Sequence, residues 1–294
     1  MDELFTKERA EAKINLYLDV IGDMPNGYHE IISVMQSVSL ADEVTVRLVQ
    51  GSGAEAEAVT YAPGLPQGDG NTATRAALAF FSSAGIDGYR AEIGIEKHIP
   101  AEAGLGGGSS DAAAVLRALN RLTGAKLSDD KLREIALTVG SDVPFCVSGG
   151  TALARGRGEI LEALPPFPAH FCVIVKPAFS ISTREMYKEI DKLRPCGGGD
   201  IGGLVPAIES GGKHAAASRV YNVFEDVLPQ NFRAEILGIK SRLTDSGALA
   251  AAMTGTGSAV FALFESEDGA AAARAALPGA YKSCFVAELT SGAS

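Results

Sequence analysis

Eight consecutive residues, Gly104-Leu105-Gly106-Gly107-Gly108-Ser109-Ser110-Asp111, constrain the fold of this chain more than any other stretch. Four glycines in five positions strip the side chains from a short loop, and two hydroxyls and a carboxylate follow. The apolar spacing over 112–122 then predicts a helix. A glycine loop that opens a helix leaves backbone N–H groups free to close around an anion, and the helix dipole adds positive potential at the same point. A phosphate is the expected anion. Neither of the two commonest phosphate motifs is present: no lysine follows the glycines, and Ser109 stands where a GxGxxG would place its last glycine. A flexible glycine linker is the alternative, but linkers seldom run straight into an amphipathic helix.

The 294 residues leave room for two domains of roughly 150 residues each. Hydrophobic content of 46% and charged content of 21% describe an ordinary globular protein with a sizeable core. The net charge of −10, from 26 basic and 36 acidic side chains, argues against nucleic-acid and anionic-membrane partners. It leaves a small anionic substrate open, because a few lysines and N–H groups suffice for a local positive pocket. Cys146, Cys172, Cys196 and Cys284 show neither CxxC spacing nor a disulfide framework, which fits a reducing, cytoplasmic location. The first twelve residues lack the apolar core of a signal peptide, and no apolar run is long enough to span a bilayer.

Along the chain, Ile14, Leu16, Leu18 and Val20 alternate with Lys13, Asn15, Tyr17 and Asp19, the pattern of a strand with one buried face. Pro25-Asn26-Gly27 signals a turn. Strands are expected over 44–49, 91–95 and 171–175, and helices over 72–84, 128–139 and 269–277. Residues 51–70 read as a loop region and residues 195–203 as a mobile glycine-rich one. Three prolines in 165–168 suggest a crossing between domains, dividing the chain into 1–164 and 165–294. Residues 248–264 read as strand, glycine loop and strand, and 284–289 as a last strand. Helices and strands mix without strict alternation, so the fold class expected is α+β.

Four pieces could carry chemistry. Lys13 and Asn15, two apart on a strand, share a face and can address one ligand; a solvated face is the alternative. Asp142 follows the helix stop Gly140 and precedes Pro144, which fits a helix cap and equally a carboxylate facing a dry site. Tyr28 and His29 follow the turn and would present an aromatic ring beside a hydrogen-bonding one, a pairing suited to a planar base or to plain surface packing. Thr254-Gly255-Thr256-Gly257-Ser258 is a second glycine loop, a phosphate site or a hairpin turn.

In this order, the pieces resemble the GHMP kinase superfamily, named for galactokinase, homoserine kinase, mevalonate kinase and phosphomevalonate kinase. IPAEAGLGGGSSDAAA resembles its phosphate-binding motif and MTGTGSAVF its C-terminal motif. AKINLYLDVIGDMPNGYHEI and GSDVPFCVSGGTALARGRGE resemble the branch acting on a cytidine diphosphate-linked polyol in the non-mevalonate route to isoprenoid precursors. The resemblance implies a ribosomal-protein-like N-terminal domain and a ferredoxin-like C-terminal domain, with the active site between them. It also implies an ATP-dependent small-molecule kinase using Mg²⁺ and phosphorylating a 2-hydroxyl, as a monomer or weak homodimer.

The roles carried over by the resemblance are as follows. Lys13 and Asp142 are the catalytic pair. Pro100, Ala101, Glu102, Ala103, Gly104, Leu105, Gly106, Gly107, Gly108, Ser109 and Ser110 hold the ATP phosphates, with Asn71 and Lys97 near the nucleotide base. Asn15, Tyr28 and His29 contact the substrate, and Thr183 and Tyr187 its cytidine end. Ser109 or Ser110 would serve Mg²⁺. Met35 stands where an aromatic is common, and Asp111 where asparagine is common. Other kinases of the superfamily, whose substrates have no base to stack, fit the Tyr28-His29 turn less well. A non-catalytic nucleotide binder would have no need of Lys13 with Asp142, and an RNA-binding module sits badly with the acidic balance.

Overall fold

The computed structural model describes residues 4–25, 27–60, 66–194, 198–279, 281 and 283–292, with the side chain of Asp69 left undescribed. Asn26, Cys196 and the start of the 195–203 segment therefore lie outside the described residues.

β1 (Leu4–Asp23) and β2 (His29–Gln50) form a long antiparallel hairpin whose register shifts three times, between Glu11 and Ala12, Asn15 and Tyr17, and Val20 and Gly22. β3 (Glu55–Thr60) runs parallel to β4 (Tyr89–Glu96), and α1 (Thr72–Ala84) connects them. The loop expected over 51–70 thus contains a strand. Its alternating Ala56, Ala58 and Thr60 present side chains too small to read as apolar periodicity, yet Ala58 is buried against the core. α1 begins where the Asn71 side chain accepts from the Ala73 N–H and ends at Gly85 in the left-handed conformation.

α2 (Gly107–Thr123), α3 (Asp129–Val139) and α4 (Val143–Ser148) follow, then the hairpin β5 (Thr151–Gly156) and β6 (Ile160–Leu164). The first sheet runs β3-β4-β2-β1, and β2 is long enough to pair with β4 over 43–50 and with β5 over 31–36. α2 is buried nearly all round, with Ala112, Ala113, Ala114, Val115, Leu116 and Leu119 inaccessible. Phe80, Phe81 and Phe145 fill the same core. Each such large side chain contributes about 1.5–3 kcal/mol by leaving water. The glycine loop is fixed because the helix it opens is the centre of that core.

Residues 165–170 form no helix or strand and lead to β7 (Phe171–Lys176). α5 (Thr183–Leu193), α6 (Ile201–Glu209) and α7 (Lys213–Ala217) precede β8 (Tyr221–Asn222), which pairs in parallel with β1 at Tyr17 and Leu18. α8 (Gln230–Asp245), β9 (Ala250–Met253), β10 (Val260–Phe264), α9 (Glu267–Ala276) and β11 (Ser283–Glu288) complete the chain. The second sheet, β11-β7-β10-β9, is antiparallel throughout, and the whole is an α+β fold with two sheets. Part of the glycine-rich 195–203 segment is the start of α6, where the Asp200 side chain accepts from the Gly203 N–H.

The alternation in β1 leads to an expectation that the structure corrects. Lys13 and Asn15 occupy the face opposite Ile14 and Leu16, as the period requires, but that face is not solvated: the two residues are 4% and 1% exposed. The Thr254–Ser258 loop and the glycine loop close over it, through bonds that link Asn15 to Thr254 and Lys13 to Leu105. The register shift between Asn15 and Tyr17 then breaks the period and packs Tyr17 with Ile14 and Leu16. Period two marks the two faces of a strand and says nothing about what covers each.

Candidate active site

The glycine loop is tied on both flanks by the backbone. Lys13 N–H donates to the Leu105 carbonyl at 3.0 Å, and Ala259 N–H donates to the Ala103 carbonyl at 3.1 Å. Gly104 and Gly106 have φ of +77° and +72°. A Cβ on Gly104 would overlap the Thr254 carbonyl, and one on Gly106 would lie 3.0 Å from Lys13 Cγ. The glycines therefore admit protein neighbours from below as well as an anion from above. At the start of α2, the N–H groups of Gly107, Gly108 and Ser109 have no intrahelical acceptor, whereas Ser110 N–H reaches back to the Gly106 carbonyl at 2.9 Å.

Lys13 and Asp142 meet beside this loop, with Lys13 Nζ 3.4 Å from Asp142 Oδ2. The lysine side chain is 5% exposed and the carboxylate 33%. Asp142 stands at the N-terminus of α4 but makes no side-chain cap bond. Its carboxylate faces the lysine, so the capping alternative does not describe it. Lys13 Nζ also donates to Asn15 Oδ1 at 2.8 Å. Asn15 Oδ1 further accepts from Gly255 N–H at 2.9 Å, while its Nδ2 donates to Ser33 Oγ. Asn15 lines the cleft, and its polar atoms knit β1 to the C-terminal glycine loop.

Two clefts share the glycine loop at Gly104, Gly106 and Ser109, and the pair lines the second of them. One, of about 680 Å³, is lined by Asn71, Lys97, Asp111 and the loop residues Pro100, Ala101, Glu102, Ala103, Gly104, Leu105, Gly106, Gly107, Gly108 and Ser109. Ser110 is turned inward, and its hydroxyl donates to the Glu11 carbonyl at 2.6 Å. Asn71 spends its carboxamide on Ala73 N–H and the Pro66 carbonyl. Lys97 is clamped between Asp42 and Asp111, and Asp42 also accepts from the His98 and Ile99 N–H groups. Burial alone would lower the Lys97 pKa; Asp111 and Asp42 outweigh it and hold it above the ordinary lysine value. Burial pushes the Asp111 carboxyl up to about 7, against the pull of Lys97. Asp111 Oδ1 is buried without a hydrogen-bond partner. Asp42, inaccessible at the heart of this cluster, escaped the sequence reading because no local pattern marks it.

The second cleft, of about 810 Å³, is lined by Lys13, Asn15, Asp142, Ser109, Tyr28, His29, Thr183 and Tyr187. His29 stacks on Tyr187 with ring centroids 4.7 Å apart, and Tyr187 meets Phe224 edge-on at 5.1 Å. Burial and the Asp142 charge raise the Tyr187 hydroxyl to about 12. The Arg157 guanidinium lies 4.9 Å above the Tyr28 ring. His29 Nε2 is 2.9 Å from Asp191 Oδ1, and Arg194 joins the cluster through Asp23 at 2.7 Å. Thr183 Oγ1 bonds Thr256 Oγ1 at 2.9 Å, joining α5 to the C-terminal glycine loop. Arg157, Asp191 and Phe224 were missed by the sequence reading. Arg157 lay inside a quoted motif, whereas the other two have no local signal. Met35, also in the lining, is buried. Cys146, Cys172 and Cys284 are buried free thiols.

A glycine loop at a helix start, with an amine–carboxylate pair in the cleft beside it, has the parts that phosphoryl transfer asks for. The family models agree with it: GHMP kinases N terminal domain matches residues 71–150, and GHMP kinases C terminal matches residues 208–283. The class is that of the GHMP kinases, which makes the chain a small-molecule kinase. The 4-diphosphocytidyl-2-C-methyl-D-erythritol kinase of Lachnoclostridium phytofermentans is 41% identical over 263 residues, 89% of each chain. That of Pelotomaculum thermopropionicum is 44% identical over 254 residues, 86% of this chain and 87% of the relative. A crystal structure of 4-(cytidine 5'-diphospho)-2C-methyl-D-erythritol kinase superposes with a TM-score of 0.80 at 33% identity, covering 98% of this chain and all of that one. Within the GHMP kinases, the chain belongs to the 4-diphosphocytidyl-2-C-methyl-D-erythritol kinase family.

Proposed function

We propose that this protein transfers the γ-phosphoryl group of ATP to the 2-hydroxyl of 4-diphosphocytidyl-2-C-methyl-D-erythritol. The observation that carries this reading is the Lys13–Asp142 pair at the seam between the glycine loop and the aromatic-lined cleft. Phosphoryl transfer asks for an aligned hydroxyl and for charge neutralisation at the phosphate, and for little else. Asp142 accepts the hydroxyl proton as the new O–P bond forms and the bond to the bridging oxygen of ADP breaks. Lys13, 3.4 Å away, pairs with that carboxylate and offsets charge on the attacking oxygen. The free N–H groups of Gly107, Gly108 and Ser109 receive phosphate oxygens. Tyr28, His29 and Tyr187 receive the cytosine, while Asn15 and Thr183 shape the floor and the side of the cleft.

Mg²⁺ fits the residues present if most of its ligands are phosphate oxygens and water, the usual habit of that ion. Ser109 lines both clefts, and its hydroxyl has no partner among the described residues. Ser110 and Asp111 are committed elsewhere. Ser109 is therefore the chain's own donor, and the bound ion would neutralise phosphate charge there. The reading extends to two domains, 1–164 and 165–294, both contributing to the second cleft, and to a cytoplasmic location. The buried free thiols support that location, and among the described residues no helix is long and apolar enough to cross a membrane. Incubation with ATP, Mg²⁺ and the cytidyl substrate, followed by mass analysis, tests the proposal. The expected product is heavier by one phosphate; an unchanged substrate overturns the reading.

A further inference from the structure

Cations available to the phosphates are scarce around the seam, because most of those nearby are already engaged. Lys97 is clamped by Asp42 and Asp111. Lys176 Nζ donates to the Pro177 and Phe179 carbonyls at 3.0 and 2.6 Å. Lys13 is shared between Asn15 and Asp142, and Arg157 between Glu159 and the Tyr28 ring. Two cations in the cleft lining remain, Arg184 and Lys188, four residues apart on α5. Neither makes a hydrogen bond or ion pair among the described residues.

Their positions differ. Lys188 lines the substrate cleft alone. Arg184 lines that cleft with Lys13, Asp142 and Ser109, and also an adjoining one of about 540 Å³ with Glu102, Gly104 and Gly257. It stands where the phosphate loop, the C-terminal glycine loop and the substrate cleft meet. The turn that carries it is anchored, since Thr183 is bonded to Thr256 and Ser182 Oγ caps the Glu185 N–H. A guanidinium offers five donors in a planar fork that matches phosphate oxygens two at a time. With no protein acceptor using that fork, its chemistry is directed at a ligand.

We propose that Arg184 is a further catalytic residue, one that binds the phosphoryl group in flight between ATP and the substrate hydroxyl. The inference rests on the phosphotransfer reading above. As the bond to the bridging oxygen breaks, that oxygen's electron pair leaves with ADP. The substrate oxygen bonds to phosphorus and its proton passes to Asp142. The guanidinium bonds the equatorial oxygens most strongly while the phosphoryl group is between the leaving and attacking oxygens. Interactions that strengthen in the transition state appear in kcat, whereas uniform binding appears in KM.

The test is steady-state kinetics of Arg184→Ala and Arg184→Lys with ATP, Mg²⁺ and 4-diphosphocytidyl-2-C-methyl-D-erythritol. Arg184→Ala should lower kcat about 10²–10³-fold, the range for losing one preorganised donor. The two KM values should change far less, Arg184→Lys should fall between, and added guanidinium should restore part of the alanine variant's rate. Lys192→Ala, on the same helix and paired among the described residues with Glu189, should keep wild-type rates. An Arg184→Ala kcat within about two-fold of wild type, or a loss carried wholly by KM, overturns the assignment. Wild-type protein that forms no product overturns the phosphotransfer reading instead, so the two failures are distinct.

Discussion

On the phosphate side of the site, Gly104 presses against Thr254 with no room for a Cβ, Gly106 lies close against Lys13, and Lys97 is locked between two buried carboxylates. On the base side, Tyr28 is 55% exposed, and His29 is held by Asp191 at the end of a helix whose charged residues reach solvent. The first wall is backbone and buried ions; the second is long side chains on a rim. A phosphate offers the same oxygens in every kinase of this class, so a rigid backbone cradle suits it. A particular base is told apart by ring faces and edges, which only side chains supply. Under the proposed function, the difference predicts that changes in the first wall act on phosphate binding and changes in the second on substrate choice.

Four changes would break or sharpen that division. Asp142→Asn, at the seam, should cost kcat about 10²–10⁴-fold with ATP binding retained; equal losses in ATP affinity would blur the two walls. Gly104→Ala combines a positive φ with overlap on the Thr254 carbonyl, and should lose about 2–5 kcal/mol of stability together with activity. Urea unfolding measures the first and turnover the second. Tyr28→Ala should raise the KM for the cytidyl substrate by about 1–3 kcal/mol of lost stacking, roughly 5- to 150-fold, with the KM for ATP unchanged. A matching rise in the KM for ATP would place Tyr28 on the wrong wall.

The smallest effect concerns pH. The Asp111 carboxyl is raised in the folded state, from 3.8 to about 7, by burial first. Between those values the folded protein binds more protons than the unfolded chain, so this group's contribution to stability falls as pH rises. Relative to Asp111→Asn, wild-type protein should therefore lose stability from pH 4 towards pH 7 and level off above. Denaturant titrations of both proteins across that range measure it, and parallel curves would remove the Asp111 contribution.

The residues that were legible in the sequence share a physical property. The glycine loop, the helix it opens and the β9–β10 glycine turn are each written within a few neighbouring positions. Backbone recognition of an anion is local, so motif and structure agree there. β3 was missed because alanines carry too little hydrophobic contrast, and the second burial of the β1 polar face because its cover comes from residues some ninety and 240 positions away.

Local chemistry alone determined that this chain has a side-chain-free glycine loop opening a helix, since glycine freedom and N–H direction belong to the backbone. The fold alone decided that Lys13 meets Asp142, that Asp42 and Asp111 share Lys97, and that His29 stacks on Tyr187. Charge pairing and ring stacking act over a few ångströms in space and are blind to separation along the chain. Only the packing of two sheets and their helices brings such partners within reach.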